Sequence, residues 1–135
     1  SHFLPALIRK ICEAKTKKEN YIKLWGNGKT KRELIYVDDI ADACIFFLFK
    51  KTKENMINIG TQKEYSIEKY ARIIMNILKV KLKIKYVNKS LIGTPRKIVD
   101  SSLAGRLGWK SKINIHEGLK ISIKDFQENY KKYFD

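Results

Sequence analysis

Cysteine and proline are scarce in this sequence, with two of each in 135 residues, and carboxylates are outnumbered, 14 Asp and Glu against 29 Lys and Arg. Each shortage excludes something. Cys12 and Cys44 both sit in helix-like apolar patterns, so they read as reduced core cysteines of a cytosolic protein rather than as a disulfide framework. Two histidines and two cysteines, scattered along the chain, are too few for a zinc site, and no metal is expected. The longest apolar run, "ACIFFLF" from Ala43 to Phe49, is far short of the ~20 residues a membrane-spanning helix needs. The first residues, "SHFLPALIRK", lack the cationic start and small-residue cleavage site of a secretory signal, and no Met initiates them. The chain is therefore expected to be a piece of something longer. Neither G-x-x-G-x-x-G nor G-x-G-x-x-G occurs, so no dinucleotide fingerprint is present, and nothing resembles a nucleophile elbow.

What is present is enough to fold. An apolar content of 44%, with seven Tyr and six Phe, is that of a globular protein. The length suits one compact unit spanning residues 1–135, with no linker or repeat to divide it. The formal charge of +15 and pI near 9.8 raise nucleic-acid binding as a possibility. The lysines are spread through "KTKK", "KKTK", "KVKLKIK" and "YKKY" with no single basic helix, which reads as a solvated surface, with no nucleic-acid or membrane partner expected.

Helices and strands alternate along the chain. "PALIRKICEAK" places Leu7, Ile8, Ile11 and Cys12 on one helical face behind Pro5. "YIKLW" (Tyr21–Trp25) and "ELIYV" (Glu33–Val37) read as strands joined by "GNGK" turn chemistry. Asp38 or Asp39 is expected to cap a deeply buried helix over "IADACIFFLFKK". "MINIG" (Met56–Gly60) reads as a short buried strand, and Ser66 as the cap of "IEKYARIIMNILK". "LKIKYV" (Leu82–Val87) alternates as a half-exposed strand, and "NKSLIGTPRK" is turn-rich. Asp100 caps "SSLAGRL", closed by Gly108, and Asn114 with Glu117 forms a capping-box pair ahead of the last helix. The pattern is α/β.

Gly28-Lys29-Thr30 has the closing letters of a P-loop, but the first glycine of that motif would fall on Lys23, and a strand rather than a helix follows. Tyr65 and Lys69 have the Tyr-x-x-x-Lys spacing of a dehydrogenase proton donor, yet the pair straddles a helix start at Ser66 and is read as coincidence.

Taken together, "SHFLPALIRKICEAK", "LWGNGKTKRELIYVDDIADA", "INIGTQKEYSIEKYA", "GTPRKIVDSS" and "LGWKSKINIHEGLK" follow one another in the order and spacing of the C-terminal part of the GDP-L-fucose synthase family. The sequence thus resembles a branch of the extended short-chain dehydrogenase/reductases, over essentially its whole length. The resemblance implies the substrate-binding region of an enzyme acting on a GDP-4-keto-6-deoxy sugar with NADPH. The Rossmann cofactor domain would be absent from this chain, and the fragment alone is expected to be inactive. The full-length protein would be a cytoplasmic homodimer. By the same resemblance His2 is the acid/base of 3,5-epimerisation beside the nicotinamide, Lys10 and Trp25 contact the nucleotide-sugar, and Arg32 holds the diphosphate. "MINIG" would pair with the cofactor domain's sheet. The family's Asp before Gly-Thr-Pro-Arg-Lys is replaced by Ile92, which accepts no hydrogen bond. Arg96 and Lys97 stand nearby as phosphate partners, and Asp38 and Asp39 are assigned to capping. Another extended reductase or epimerase of UDP- or dTDP-sugars, and a basic nucleic-acid-binding domain, are the alternatives.

Overall fold

The computed structural model describes residues 2–88, 90 and 93–134, with the backbone alone at 130–134; Ile92 lies outside the described residues. Helix α1 (Phe3–Thr16) turns Leu7, Ile8, Ile11 and Ala14 inward, four positions that share one helical stripe. Strand β1 (Tyr21–Trp25) then alternates as expected, burying Ile22 and Leu24. It pairs in parallel with β4 (Lys83–Val87), with Ile22 opposite Ile84 and Leu24 opposite Tyr86. Between them run β2 (Lys31–Glu33), α2 (Val37–Phe49), β3 (Glu64–Ser66) and α3 (Ile67–Ile77). The chain closes with β5 (Arg96–Lys97), α4 (Ser102–Arg106) and α5 (Ile115–Phe134). A second sheet has the order β3-β2-β5, antiparallel on one side and parallel on the other.

The larger core lies where α1, α3 and α5 meet the β1·β4 pair. Ile11, Tyr70, Ile74, Leu119 and Ile123 are closed off there from solvent. A smaller cluster of Ala43, Ala104 and Trp109 forms under α2 and α4, with Phe46, Phe47, Ile57 and Ile59 packed on it. Ser66 caps α3 by accepting from the Lys69 N–H, and Asn114 accepts from the Glu117 N–H at the start of α5. Gly108, at φ +103°, ends α4.

Several expectations are corrected. The second strand ends at Glu33 rather than running to Val37, because its pairing is spent on β3 and β5, and Leu34–Tyr36 leads extended into α2. Neither Asp38 nor Asp39 caps α2: the N-cap is Tyr36, both aspartates lie in the first turn, and Asp39 is buried. The deep burial expected of α2 is not found, since only Asp39 and Ala43 are buried, and Ile45, Leu48 and Phe49 are exposed. "MINIG" forms no strand and leaves Met56 80% exposed, because no strand among the described residues lies alongside it. Cys44 is exposed and Cys12 half-buried, so neither is fully buried in the core. The α4 N-cap is Ser101, one residue after Asp100, whose carboxylate instead accepts from the Ser102 N–H. Two short strands the sequence did not signal, β3 and β5, flank β2. No helix of the described residues is long and apolar enough to cross a membrane.

Candidate functional site

The turn between β1 and β2 is built from its glycines. Gly26 and Gly28 have φ near +75° and +72°, a region that costs L side chains energy, and a Cβ at Gly28 would sit 2.7 Å from Tyr86 Cε1. The Asn27 side chain accepts from the Lys29 N–H, and the first turn of α3 braces the loop: Glu68 N–H donates to Gly28 O and Ile67 N–H to Thr30 O. Tyr86 Oη donates to Glu68, and that hydrogen bond, followed by Arg72, holds the Glu68 carboxyl below its usual range. Burial, and then the same bond, pushes Tyr86 up to about 12. Lys29 points to solvent and no helix follows, which agrees with rejecting a P-loop.

Trp25 stands at the C-terminal end of β1, 68% exposed. Arg32, on the far side of the turn, is half-buried, and its Nη1 donates to the carbonyls of Lys31 (2.6 Å) and Thr94 (2.9 Å). Nε and Nη2 have no partner among the described residues. Arg32 faces Lys97 across the β2·β5 ladder, and Lys31 faces Arg96. Glu64 takes ion pairs from Arg96 (2.7 Å) and Lys31 (3.4 Å), and the Arg96 bond foremost keeps its carboxyl low. Lys97 has no such acid among the described residues, and it lines an open cleft of about 640 Å³ with Glu33, Arg96, Ile98 and Val99.

His2 is the N-cap of α1 and exposed. Its neighbour Phe3 packs on Tyr70 with ring centroids 5.6 Å apart, and Tyr70 Oη donates to the Arg32 carbonyl at 2.8 Å. Burial keeps that phenol protonated well above its usual pKa. Tyr70 thereby ties the start of α1 to the strand that carries Arg32. Lys10 lies further along the helix, exposed, with Nζ on the carbonyl of Lys23 at 3.1 Å, one step back along the outward face of β1 from Trp25. The structure thus attaches Lys10 to the Trp25 strand and the His2 end to the Arg32 strand. No side-chain hydrogen bond joins the four residues directly among the described residues.

Glu33 was missed by the sequence reading. One carboxylate oxygen accepts from the N–H groups of Thr61 and Gln62, both at 2.7 Å, and the other from Val99 N–H at 3.0 Å. It clamps β2, the 61–62 loop and the segment after β5 together, and Gly60 is needed beside it because a Cβ there would lie 2.7 Å from the carboxylate. Asp39 likewise takes the N–H groups of Lys112 and Ile113, each at 3.0 Å. Asp42 takes Lys112 Nζ and Trp109 Nε1, which hold its carboxyl low. Their acidic type in the run "YVDDIADA" was visible, but their long-range partners were not.

A parallel two-stranded sheet and a mixed three-stranded one, joined by a glycine turn that presents Trp25 and Arg32, make an α/β arrangement that resembles part of the extended short-chain dehydrogenase/reductases. Residues 1–60 match the NAD dependent epimerase/dehydratase family. Over 96% of its length the chain is 38% identical to GDP-L-fucose synthase 1 of Arabidopsis thaliana, covering 40% of that protein. It is 29% identical to the solved GDP-mannoheptose C4 reductase of Campylobacter jejuni, which holds NADP, with a TM-score of 0.75 over 95% of this chain and 45% of that one. The GDP-L-fucose synthetase of Naegleria fowleri, at 23% identity and a TM-score of 0.84 over 97% of this chain and 40% of that one, shares the fold. The chain spans about two fifths of the length of the curated relatives it matches.

Proposed function

We propose that residues 1–135 act as one unit, the substrate-binding region of an enzyme that converts GDP-4-keto-6-deoxy-D-mannose to GDP-L-fucose. The observation that carries this reading is the braced turn with an exposed indole on one side and a half-anchored guanidinium on the other. Arg32 receives the diphosphate. Its Nη1 is fixed on two carbonyls, so the planar fork is already oriented, and Nε and Nη2 are left for charge-assisted hydrogen bonds to phosphate oxygens. Trp25 packs its face on the nucleotide-sugar, and Lys10 adds a cation along the same strand face. His2, exposed at the helix start and tied through Phe3 and Tyr70 to the Arg32 strand, gives and takes a proton at carbons 3 and 5 beside the nicotinamide.

Reduction of the 4-keto group uses the hydride that NADPH supplies when bound. No glycine-rich dinucleotide loop occurs in these 135 residues, so of this chain only His2 is assigned to that cofactor. The working enzyme is proposed to be a cytoplasmic homodimer. The likeness to a GDP-mannoheptose reductase favours a second reading, in which the same site takes a different GDP-keto-sugar.

Calorimetry of this chain with GDP, UDP and a short DNA duplex tests the assignment. GDP binding stronger than UDP binding, weakened about 10- to 100-fold by Arg32→Ala, supports it. A UDP preference would move the protein to another nucleotide-sugar branch. Duplex binding with a steep salt slope and no response to Arg32→Ala would sink the enzyme reading.

A further inference from the structure

On the α4 side of Glu33 lies a cleft of about 560 Å³ that the proposed reaction does not use. One wall is the loop of Gly60, Thr61, Gln62 and Lys63, and the other is α4 with Lys110 and Ser111. The charged groups lining it are Lys63, Arg106 and Lys110, all cations. Among the described residues none of the three has a carboxylate in ion-pair contact; Arg106 Nη1 donates only to Ser102 Oγ, at 3.3 Å. Of the carboxylates around the cleft, Glu33 accepts three N–H groups, Asp42 takes Lys112 and Trp109, and Asp100 accepts the Ser102 N–H while its charge is also felt by Arg106.

The cleft is held in shape. Glu33 fixes the loop wall, where Gln62 is kept at φ +58°, a conformation uncommon outside glycine and asparagine. Ser101 Oγ ties the two walls by donating to Gly60 O at 3.2 Å. On the other wall Gly105 has no side chain, and the Lys110 stem lies across it, with Cε 3.8 Å from where a Cβ would be. Trp109 lines the base but is buried and pinned by Asp42, so no aromatic face is offered for a nucleobase.

We propose that this cleft binds a phosphorylated sugar. Lys63 on one wall and Arg106 with Lys110 on the other grip the phosphate, while the hydroxyls of Ser102 and Ser111 and the Gln62 amide meet the sugar hydroxyls. The volume is more than one phosphate needs and falls in the range of small-ligand sites. The site is separate from Trp25 and Arg32, and it does not depend on the reaction proposed for them.

Calorimetry of the 135-residue chain is run with a hexose 6-phosphate, the unphosphorylated hexose, inorganic phosphate and GDP, and amide chemical shifts locate the binding. The expected result is that the hexose phosphate binds most tightly and shifts the amides of Thr61, Lys63 and Ser111. Lys63→Ala with Arg106→Ala should weaken it at least about tenfold, and Arg32→Ala should leave it unchanged. Both cations are exposed, so their removal opens no core, and circular dichroism of the double variant checks its fold. Equal affinity for phosphate and hexose phosphate overturns the proposal, as does tighter binding of GDP in this cleft. A loss of the same size from Lys23→Ala with Lys85→Ala also overturns it, because it would reveal diffuse attraction to a basic surface.

Discussion

Helices α2 and α3 are both rich in large apolar residues and end in opposite situations. α3 carries a single stripe, Tyr70, Ala71, Ile74 and Met75, with Glu68, Lys69, Arg72 and Asn76 away from it, and all four stripe residues are buried. α2 has no polar position after Asp42, and its second half leaves Ile45, Leu48 and Phe49 mostly in solvent. A stripe tells a helix which way to face; apolarity all round does not. α2 is oriented instead by two carboxylates near its start, Asp39 on the Lys112 and Ile113 N–H groups and Asp42 on Lys112 and Trp109. One helix is held by a fully buried stripe, the other by hydrogen bonds near its start and the smaller contact of Ala43, Phe46 and Phe47 with Ala104 and Trp109.

Truncating the packed helix should have the largest effect. Ile74 is fully buried between α1 and α5 contacts, so Ile74→Ala should cost about 2 to 5 kcal/mol, through lost transfer energy and the cavity left behind. Urea unfolding followed by circular dichroism measures it. A cost near that of a surface substitution would mean that α3 is not the centre of the core.

The polar anchor comes next. Asp39→Ala removes the acceptor of two backbone N–H groups at a buried site, and stranding such donors costs about 1 to 3 kcal/mol. Asp39→Asn keeps one acceptor oxygen and should recover part of the loss in the same unfolding assay. Equal stability of the Ala and Asn variants would show that the carboxylate is not what orients α2.

This contrast also marks what the sequence could show. The α3 stripe, the Ser66 cap, the alternation of Tyr21–Trp25 and the Gly108 terminator are local patterns, and each is realised. β3 and β5 are three and two residues long and owe their existence to β2 lying between them, so no local pattern announces them. Asp38 and Asp39 looked like caps because capping is the local use of an aspartate before an apolar run. The partners that claimed Asp39 lie more than seventy residues away. At the candidate site, the glycine turn was legible as a turn. That Glu33 clamps three segments was not, because its donors are backbone N–H groups, which have no signature in side-chain identity.

The smallest effect on stability should come from the uncovered half of α2. Leu48 is 77% exposed, so Leu48→Glu removes little buried area and should change unfolding free energy by no more than about 0.5 kcal/mol. Its effect should appear in association. Ile45, Leu48 and Phe49 are all exposed in the second half of α2, and apolar residues concentrated in this way promote contact between copies. Light scattering at rising concentration should therefore show less self-association for Leu48→Glu than for the parent chain. A destabilisation above about 1.5 kcal/mol would break the contrast with α3, since only a covered leucine loses that much when its side chain becomes a carboxylate.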